Sequence, residues 1–488
     1  MTKPETQTET TKNIQSGAKW VVITQIASKV ISICSMFFLY RLITPEHFGV
    51  FALTNVSIQF IRLFGNFGIS SAIIHKQDQS KDFLNQAFYL HLLISIILFI
   101  LTFILAIPIG NFYDSSLLKS TIYLVSISFL FSPFEIIPFS ILQIQSKFKE
   151  ITTIPVFIEI LLSIISVIMA FAGFGIWSLV MPMVMAGPIR SIIYMKLAKW
   201  KPSIINGTNH WPALFHFGKH LFISNINTYL TTNIDYIIVG KILGKGILGI
   251  YQFSYNWANW PVTNLVMPFY KVLFPSFSNL KDDLFELKSS YLKIIKFISM
   301  LTFPIFTFIL IFTHNFIMVV AGDNWLEAII PTKIMISYGL IRAIGSPGGQ
   351  LLVAIGKPKV MSIYSTILIP FLIIALIIGV NFQIIGVSIA VSIVLSIGSL
   401  VFIALTLINT KIKIYDYLKI LMPTIFVCLL SGILTWIISI YFSRYYQSIY
   451  LNLAAKGIFF SIFYIFNFYL IYNKQFTELI SNLKQNKS

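Results

Sequence analysis

A guanidinium sits in the middle of one apolar stretch. Arg62 shares the spacing i, i+4, i+7 and i+11 with Asn55, Gln59 and Asn66, which puts all four on one helical face. A planar guanidinium flanked by amides suits bidentate recognition of phosphate or carboxylate. Two later segments carry stripes of the same spacing. One is Ser224, Thr228, Thr231 and Asp235, with His220 a turn earlier and Lys219 beside it. The other is Gln252, Asn256, Asn259 and Thr263, with Tyr270 and Lys271 further along. A broader polar band runs through Thr24, Gln25, Ser28, Lys29, Ser32 and Ser35.

A Lys or Arg at the bilayer centre costs at least about 2.5–3.5 kcal/mol on insertion scales. Lys29 and Arg62 fall near the middle of their segments and are expected to face water or an anion. Lys219, Lys271, Arg190 and Arg342 lie nearer segment ends, where snorkelling competes with a binding role. The expected anion-binding set is Lys29, Arg62, Lys219 and Lys271 with Asn55, Gln59, Asn66, Asn256 and Asn259. Asp235, Glu135 and Glu159 are the acids inside apolar segments, each able to pair with a base or carry a coupling proton or cation. His220 and His91 ordinarily titrate near neutral pH, and His220 joins the acids as an ion-coupling candidate.

Enzyme chemistry is not written into the chain. The Gly-Lys pairs at Gly218, Gly240, Gly244 and Gly356 are followed by His, Ile, Gly and Pro, so no phosphate-cradling G-x-x-x-x-G-K-[ST] loop occurs. H-E-x-x-H, G-x-S-x-G and Cys/His clusters are missing too. No metal site or cofactor is expected. Cys34 and Cys428 both fall in apolar segments and imply no disulfide framework.

The elements that hold these residues are membrane helices. The 488 residues are 57% hydrophobic and 11% charged, with a mean hydropathy of +0.83; an ordinary soluble chain is about a quarter charged. At about 20 apolar residues per crossing, the chain gives about fourteen spans: 17–42, 49–74, 83–109, 117–145, 152–172, 174–198, 212–240, 247–275, 289–320, 326–354, 359–380, 384–408, 417–441 and 447–473. The loops on one side hold about nineteen lysines, Lys81, Lys196, Lys199 and Lys201 among them, against roughly five Lys or Arg on the other. The positive-inside rule then makes the lysine-rich side and both termini cytosolic. It also explains most of the net charge of +18 without nucleic acid.

The chain repeats itself. "RLITPEHFGVFAL" from Arg41 matches "KILGKGILGIYQF" from Lys241 at an offset of about 200, which sets Gly49 on Gly249. An even-numbered unit of six spans makes the halves parallel repeats. The expected organisation is a disordered cytosolic tail at 1–16, six-helix lobes at 17–200 and 201–410, two additional helices at 411–474 and a cytosolic tail at 475–488. Spans one, two, seven and eight carry the polar stripes and pair under the repeat, so they are expected to line a central cavity. The third, "LLISIILFILTFILAIPIG", and the eleventh look nearly bare.

"RLITPEHFGVFAL", "NFGISSAIIHKQD", "NIDYIIVGKILGKGILGIYQFSY", "VLFPSFSNLKDD", "GDNWLEAIIP" and "LLVAIGKPKV" resemble the bacterial Wzx-type polysaccharide flippases. These belong to the multidrug/oligosaccharidyl-lipid/polysaccharide exporter superfamily, and the branch with colanic and teichuronic acid exporters is the most similar. The resemblance runs in order over about residues 15 to 410. It implies translocation of a polyprenyl-diphosphate-linked oligosaccharide from the cytosolic to the outer leaflet of the bacterial inner membrane. It further implies alternating access coupled to an ion gradient, H+ or Na+, and polysaccharide polymerase and export machinery as partners. It implies that basic residues in the cavity, with Lys29, Arg62 and Lys219 as candidates, meet the diphosphate. The alternatives are a multidrug or cation exporter of the same superfamily, and a membrane glycan polymerase or ligase, which the short outer loops disfavour.

Overall fold

A computed structural model describes residues 28–64, 69–204, 207–445 and 448–485. The described residues form helices and no strand. That follows from composition, because helices satisfy backbone polar groups internally where no water can. In order, they are α1 (28–42), α2 (Pro45–Leu63), α3 (Ile69–Lys76), α4 (Lys81–Phe112), α5 (Ser116–Ser126), α6 (Ser128–Ile144), α7 (Phe148–Phe171) and α8 (Trp177–Ala198). Then come α9 (Trp211–Ile242), α10 (Gly244–Pro261), α11 (Tyr270–Asn279), α12 (Leu284–Ile311), α13 (Thr313–Val320), α14 (Ile329–Gly345) and α15 (Gly348–Ala354). The last four are α16 (Pro358–Gly379), α17 (Gln383–Thr410), α18 (Ile414–Tyr445) and α19 (Ile449–Gln485).

Among the described residues, helices fall within each of the expected ranges, several in two pieces, which by itself does not set the number of crossings. By length and apolarity, nine stretches among the described residues qualify as membrane crossings. One of them, Pro358–Thr410, holds two helices that the expected count treats separately. The polar helices α2, α9 and α10 are not among the nine. The chain is a multi-pass membrane protein.

The chain folds as two compact units, Met1–Gly249 and Ile250–Ser488. The division falls inside α10, and α9, which follows the expected lobe boundary at 200/201, packs in the first unit. The reason is packing within the first unit. The Tyr229 hydroxyl of α9 donates to the Val56 carbonyl of α2 at 3.2 Å, and Tyr229 buries against Val56 and Leu63. A larger core joins α3, α4, α6, α8 and the start of α9 around Phe83, Phe88, Ile141, Tyr194 and Trp200. In the second unit the core gathers Phe277, Tyr291, Ile344, Leu351, Ile403 and Tyr417. The two final helices dock closely there: the Tyr417 hydroxyl donates to Ile344 O at 2.9 Å and the Tyr464 hydroxyl to Met300 O at 2.8 Å.

The repeat appears as a reciprocal contact within the first unit. A Cβ placed on Gly49 would run into the Lys245 carbonyl, and one on Gly249 into the Pro45 carbonyl. Only glycine lets backbones approach this closely. Glu46 and Lys245 close the same contact with an ion pair at 2.9 Å. Helix breaks also keep the 200-residue offset. α2 stops at Leu63 and α3 starts at Ile69, while α10 gives way to a π-helical stretch at Val262–Val266 and a 3-10 turn at Met267–Phe269. Such π stretches gather at functional sites.

Candidate functional site: a cationic cavity in the first unit

Arg62 reaches the site from the last turn of α2. It helps line a cavity of about 240 Å³ with His91, Ser95, Ser128, Glu135 and Arg190. α4 supplies His91 and Ser95, α6 supplies Ser128 and Glu135, and α8 supplies Arg190. α6 carries Pro133 and Pro138 inside the helix and α8 carries Pro182 and Pro188, so each lacks backbone donors there.

The charges divide into a pair and a free cation. Arg190 Nη1 lies 3.3 Å from Glu135 Oε1. The Arg62 guanidinium makes no side-chain hydrogen bond or ion pair among the described residues and stands 6.0 Å over the Phe129 ring. Two guanidinium groups against one carboxylate leave the cavity one positive charge in excess. His91 Nε2 and the Ser132 hydroxyl are 3.0 Å apart. On the other side of that ring, Nδ1 is buried with no partner, as are Ser128 Oγ and Arg190 Nε. Buried polar atoms nearly always have partners. These three atoms, without partners among the described residues, belong to residues that line the cavity, and the cation excess of its lining suits an anionic occupant.

The structure brings together only part of the expected set. Arg62 and Glu135 share the cavity. Asn55 shares the face of Arg62, yet its amide donates to its own helix at Phe51 O, 3.0 Å away. Gln59 accepts from Asn233 of α9 at 3.4 Å. Both therefore serve helix contacts and do not line this cavity. Lys29, half-buried on α1, does not line it either. Glu159 accepts from Ser28 at 2.9 Å and Ser32 at 3.0 Å, which ties α7 to α1. Asp235 is 4% exposed and accepts the Tyr236 backbone N–H at 3.0 Å, away from the cavity. In the second unit, Asn259 accepts from Arg342 through Oδ1 and donates to Tyr255 O at 2.8 Å; Asn256 is half-buried on the same helix. Asn66 and the side chains of Lys219, His220 and Lys271 lie outside the described residues. Sequence spacing missed Arg190, His91, Ser95, Ser128 and Ser132 as lining residues, and α4 was expected to be nearly bare. Among the described residues no three His, Cys, Asp or Glu side chains are grouped for a metal.

This combination defines a multi-pass helical membrane protein with a charged internal cavity. A family model described as "Polysaccharide biosynthesis protein" matches residues 38–330, and the chain belongs to that family. Among its relatives is the teichuronic acid biosynthesis protein TuaB of Bacillus subtilis (strain 168), 26% identical over 349 residues, 71% of this chain and 72% of that one. Another is the lipopolysaccharide biosynthesis protein WzxC of Escherichia coli (strain K12), 26% identical over 345 residues, 70% of this chain and 69% of that one. The fold is that of the lipid II flippase MurJ in its inward closed conformation, with a TM-score of 0.75 at 18% identity, covering 94% of this chain and 99% of that one. An inward-facing MATE-family multidrug transporter of the MOP superfamily is similar at a TM-score of 0.61 and 12% identity, over 80% of this chain and 98% of that one.

Proposed function

We propose that this protein carries a polyprenyl-diphosphate-linked oligosaccharide from the cytosolic to the outer leaflet of the bacterial inner membrane by alternating access. Both termini lie in the cytosol in this reading, and the flipped unit passes to polymerase and export machinery. The observation that carries it is the Arg62 guanidinium, without an ion pair among the described residues, in a cavity lined by two guanidinium groups and one carboxylate. Relatives named for teichuronic acid and lipopolysaccharide biosynthesis support it, as does the shared fold with a lipid II flippase.

The size of the cavity suits the diphosphate part of the substrate. At about 30 Å³ per water, a cavity of about 240 Å³ equals roughly eight water volumes. That volume accommodates a diphosphate. The sugar and the prenyl chain stay outside while Arg62 and Arg190 grip the phosphates through their forks. A diphosphate diester brings one charge on each phosphate. With Glu135 ionised the loaded cavity is one charge negative, and with Glu135 protonated it is neutral. Binding and proton uptake are thereby linked, and Glu135 is the coupling residue of this scheme. A cation exporter, the competing reading, would place its substrate against two guanidinium groups.

Deleting the gene and following lipid-linked sugars by leaflet tests the scheme. The expected result is loss of surface polymer, with intermediates held in the cytosolic leaflet. Unchanged polymer together with new drug sensitivity would instead identify a drug exporter.

A further inference from the structure

We propose that the lysine-rich end of the first unit holds a second anion site that takes the phosphate of an anionic phospholipid. A cavity of about 490 Å³ opens there, lined by Lys81, Lys196, Lys199 and Lys201 together with Trp200 and Asn85. Lys81 begins α4, Lys196 lies in the last turn of α8, and the other two follow the end of α8. No carboxylate among the described residues lines the cavity. Among the described residues none of the four ammonium groups has an ion pair or a side-chain hydrogen bond. The two acids next to Lys81 are engaged elsewhere. Asp82 accepts from Gln86 Nε2 at 2.9 Å and faces His210 Nε2 at 3.7 Å, and Asp78 accepts the Ser80 backbone N–H at 2.8 Å.

The segment that carries these lysines is pinned down. The chain turns at Lys199, whose φ of 51° and ψ of 37° are left-handed. Trp200 then buries, 5.6 Å from the Phe88 ring. Asn85 clips the following residues in both directions: its Nδ2 donates to Ser203 Oγ at 2.6 Å and its Oδ1 accepts from Ser203 N at 3.1 Å. Gln86 accepts the His210 backbone N–H at 2.9 Å and, through its carbonyl, the Trp211 indole N–H at 3.1 Å. Orienting a membrane protein requires only that lysines lie on this side. It does not require four exposed lysines to border one cavity, where their combined positive charge favours an anion.

Position selects the occupant. The cavity lies where the membrane-crossing stretches Lys81–Phe112 and Trp177–Ala198 begin and end, at headgroup depth, and basic pockets between helix ends on this side bind acidic headgroups. Its volume of about 490 Å³ is roughly sixteen water volumes, room for a glycerol-phosphate group. This site is separate from the Arg62 cavity and its readout does not depend on transport.

The test is native mass spectrometry of the purified full chain in neutral detergent, titrated with phosphatidylglycerol or phosphatidylcholine. Phosphatidylglycerol should be retained in preference to phosphatidylcholine. K196Q and K201Q should each weaken retention about fivefold, and the pair about 25-fold, from about 1 kcal/mol per lysine at a charged lipid surface. Arginine at the same two positions should keep the preference, which separates charge from folding. Equal retention of the two lipids, or no change in the double glutamine variant, overturns the proposal. So does displacement of bound phosphatidylglycerol by inorganic pyrophosphate at equal concentration, which would assign the cavity to a soluble anion.

Discussion

Replacing Arg62 with alanine should lower transport without lowering stability. An arginine that braces the fold would tie those two quantities together. Arg62 has no ion pair or side-chain hydrogen bond among the described residues, and only a ring face at 6.0 Å and the longer-range attraction of Glu135 act on its charge, so it braces the fold weakly. An uncompensated cation in a membrane span costs at least about 2.5–3.5 kcal/mol, reduced where it reaches a polar cavity. The melting temperature of Arg62→Ala in detergent should therefore stay level or rise. On the substrate side, one charge-assisted hydrogen bond contributes about 1.5–3 kcal/mol, or about 10- to 150-fold in affinity for the diphosphate. Arg62→Lys keeps the charge, loses the fork and should fall between. The assay is uptake of a polyprenyl-diphosphate-linked sugar into proteoliposomes at limiting substrate, paired with a thermal melt of the same preparation. Full transport by Arg62→Ala would remove the cavity from the mechanism. A parallel loss of stability and transport would make Arg62 a packing residue and refute the reasoning.

Arg190→Ala should behave in the opposite sense, because it strips Glu135 of its counter-ion. Breaking a fully buried pair costs about 3–5 kcal/mol, and the 38% exposure of the Arg190 side chain lowers the expectation to about 1–3 kcal/mol. Adding Glu135→Gln should restore most of the melting temperature but not transport. Gly249→Ala should abolish the folded monodisperse peak on size exclusion, because the new methyl meets the Pro45 carbonyl, which no rotamer can move aside. At the exposed turn before α4, the Ser80 N–H holds the Asp78 carboxyl below its ordinary value of 3.8. Its folded-state value is the lower one, so its stabilisation is full above about pH 4 and fades as the pH falls further; Asp78→Asn should flatten that part of a melting-temperature profile.

Arg62 and Glu135 were legible in the sequence because charges are rare within apolar runs. Fold class was legible for the related reason that so few charges interrupt so much apolar chain. Arg190 was harder to assign. The expected span 174–198 and α8 end at the same residue, so position along the helix leaves snorkelling open, and only the contact with Glu135 assigns Arg190 to the cavity. His91 and Ser95 lie in or beside a run that looks bare, because the isobutyl and sec-butyl groups around them dominate its hydropathy. Spacing along one helix tells which residues share a face. It does not tell which neighbour that face meets, so Asn55 and Gln59 looked like Arg62 although one bonds its own backbone and the other meets α9. The division after Gly249 was hidden for the same reason, since it depends on α9 choosing α2.

The Gly49–Gly249 contact also bears on how the two copies of the repeat can change over generations. A duplicated segment is ordinarily free to let its halves diverge, each absorbing substitutions the other does not feel. Here each glycine faces main chain in the other copy, and main chain is common to every amino acid. No replacement at position 45 or 245 makes room for a side chain at 249 or 49. The flanking turns have diverged to Thr-Pro-Glu-His in one copy and Gly-Lys-Gly-Ile in the other, while the glycine pair stays matched: neither copy can lose its member alone, and a gain of bulk in one has no remedy in the other.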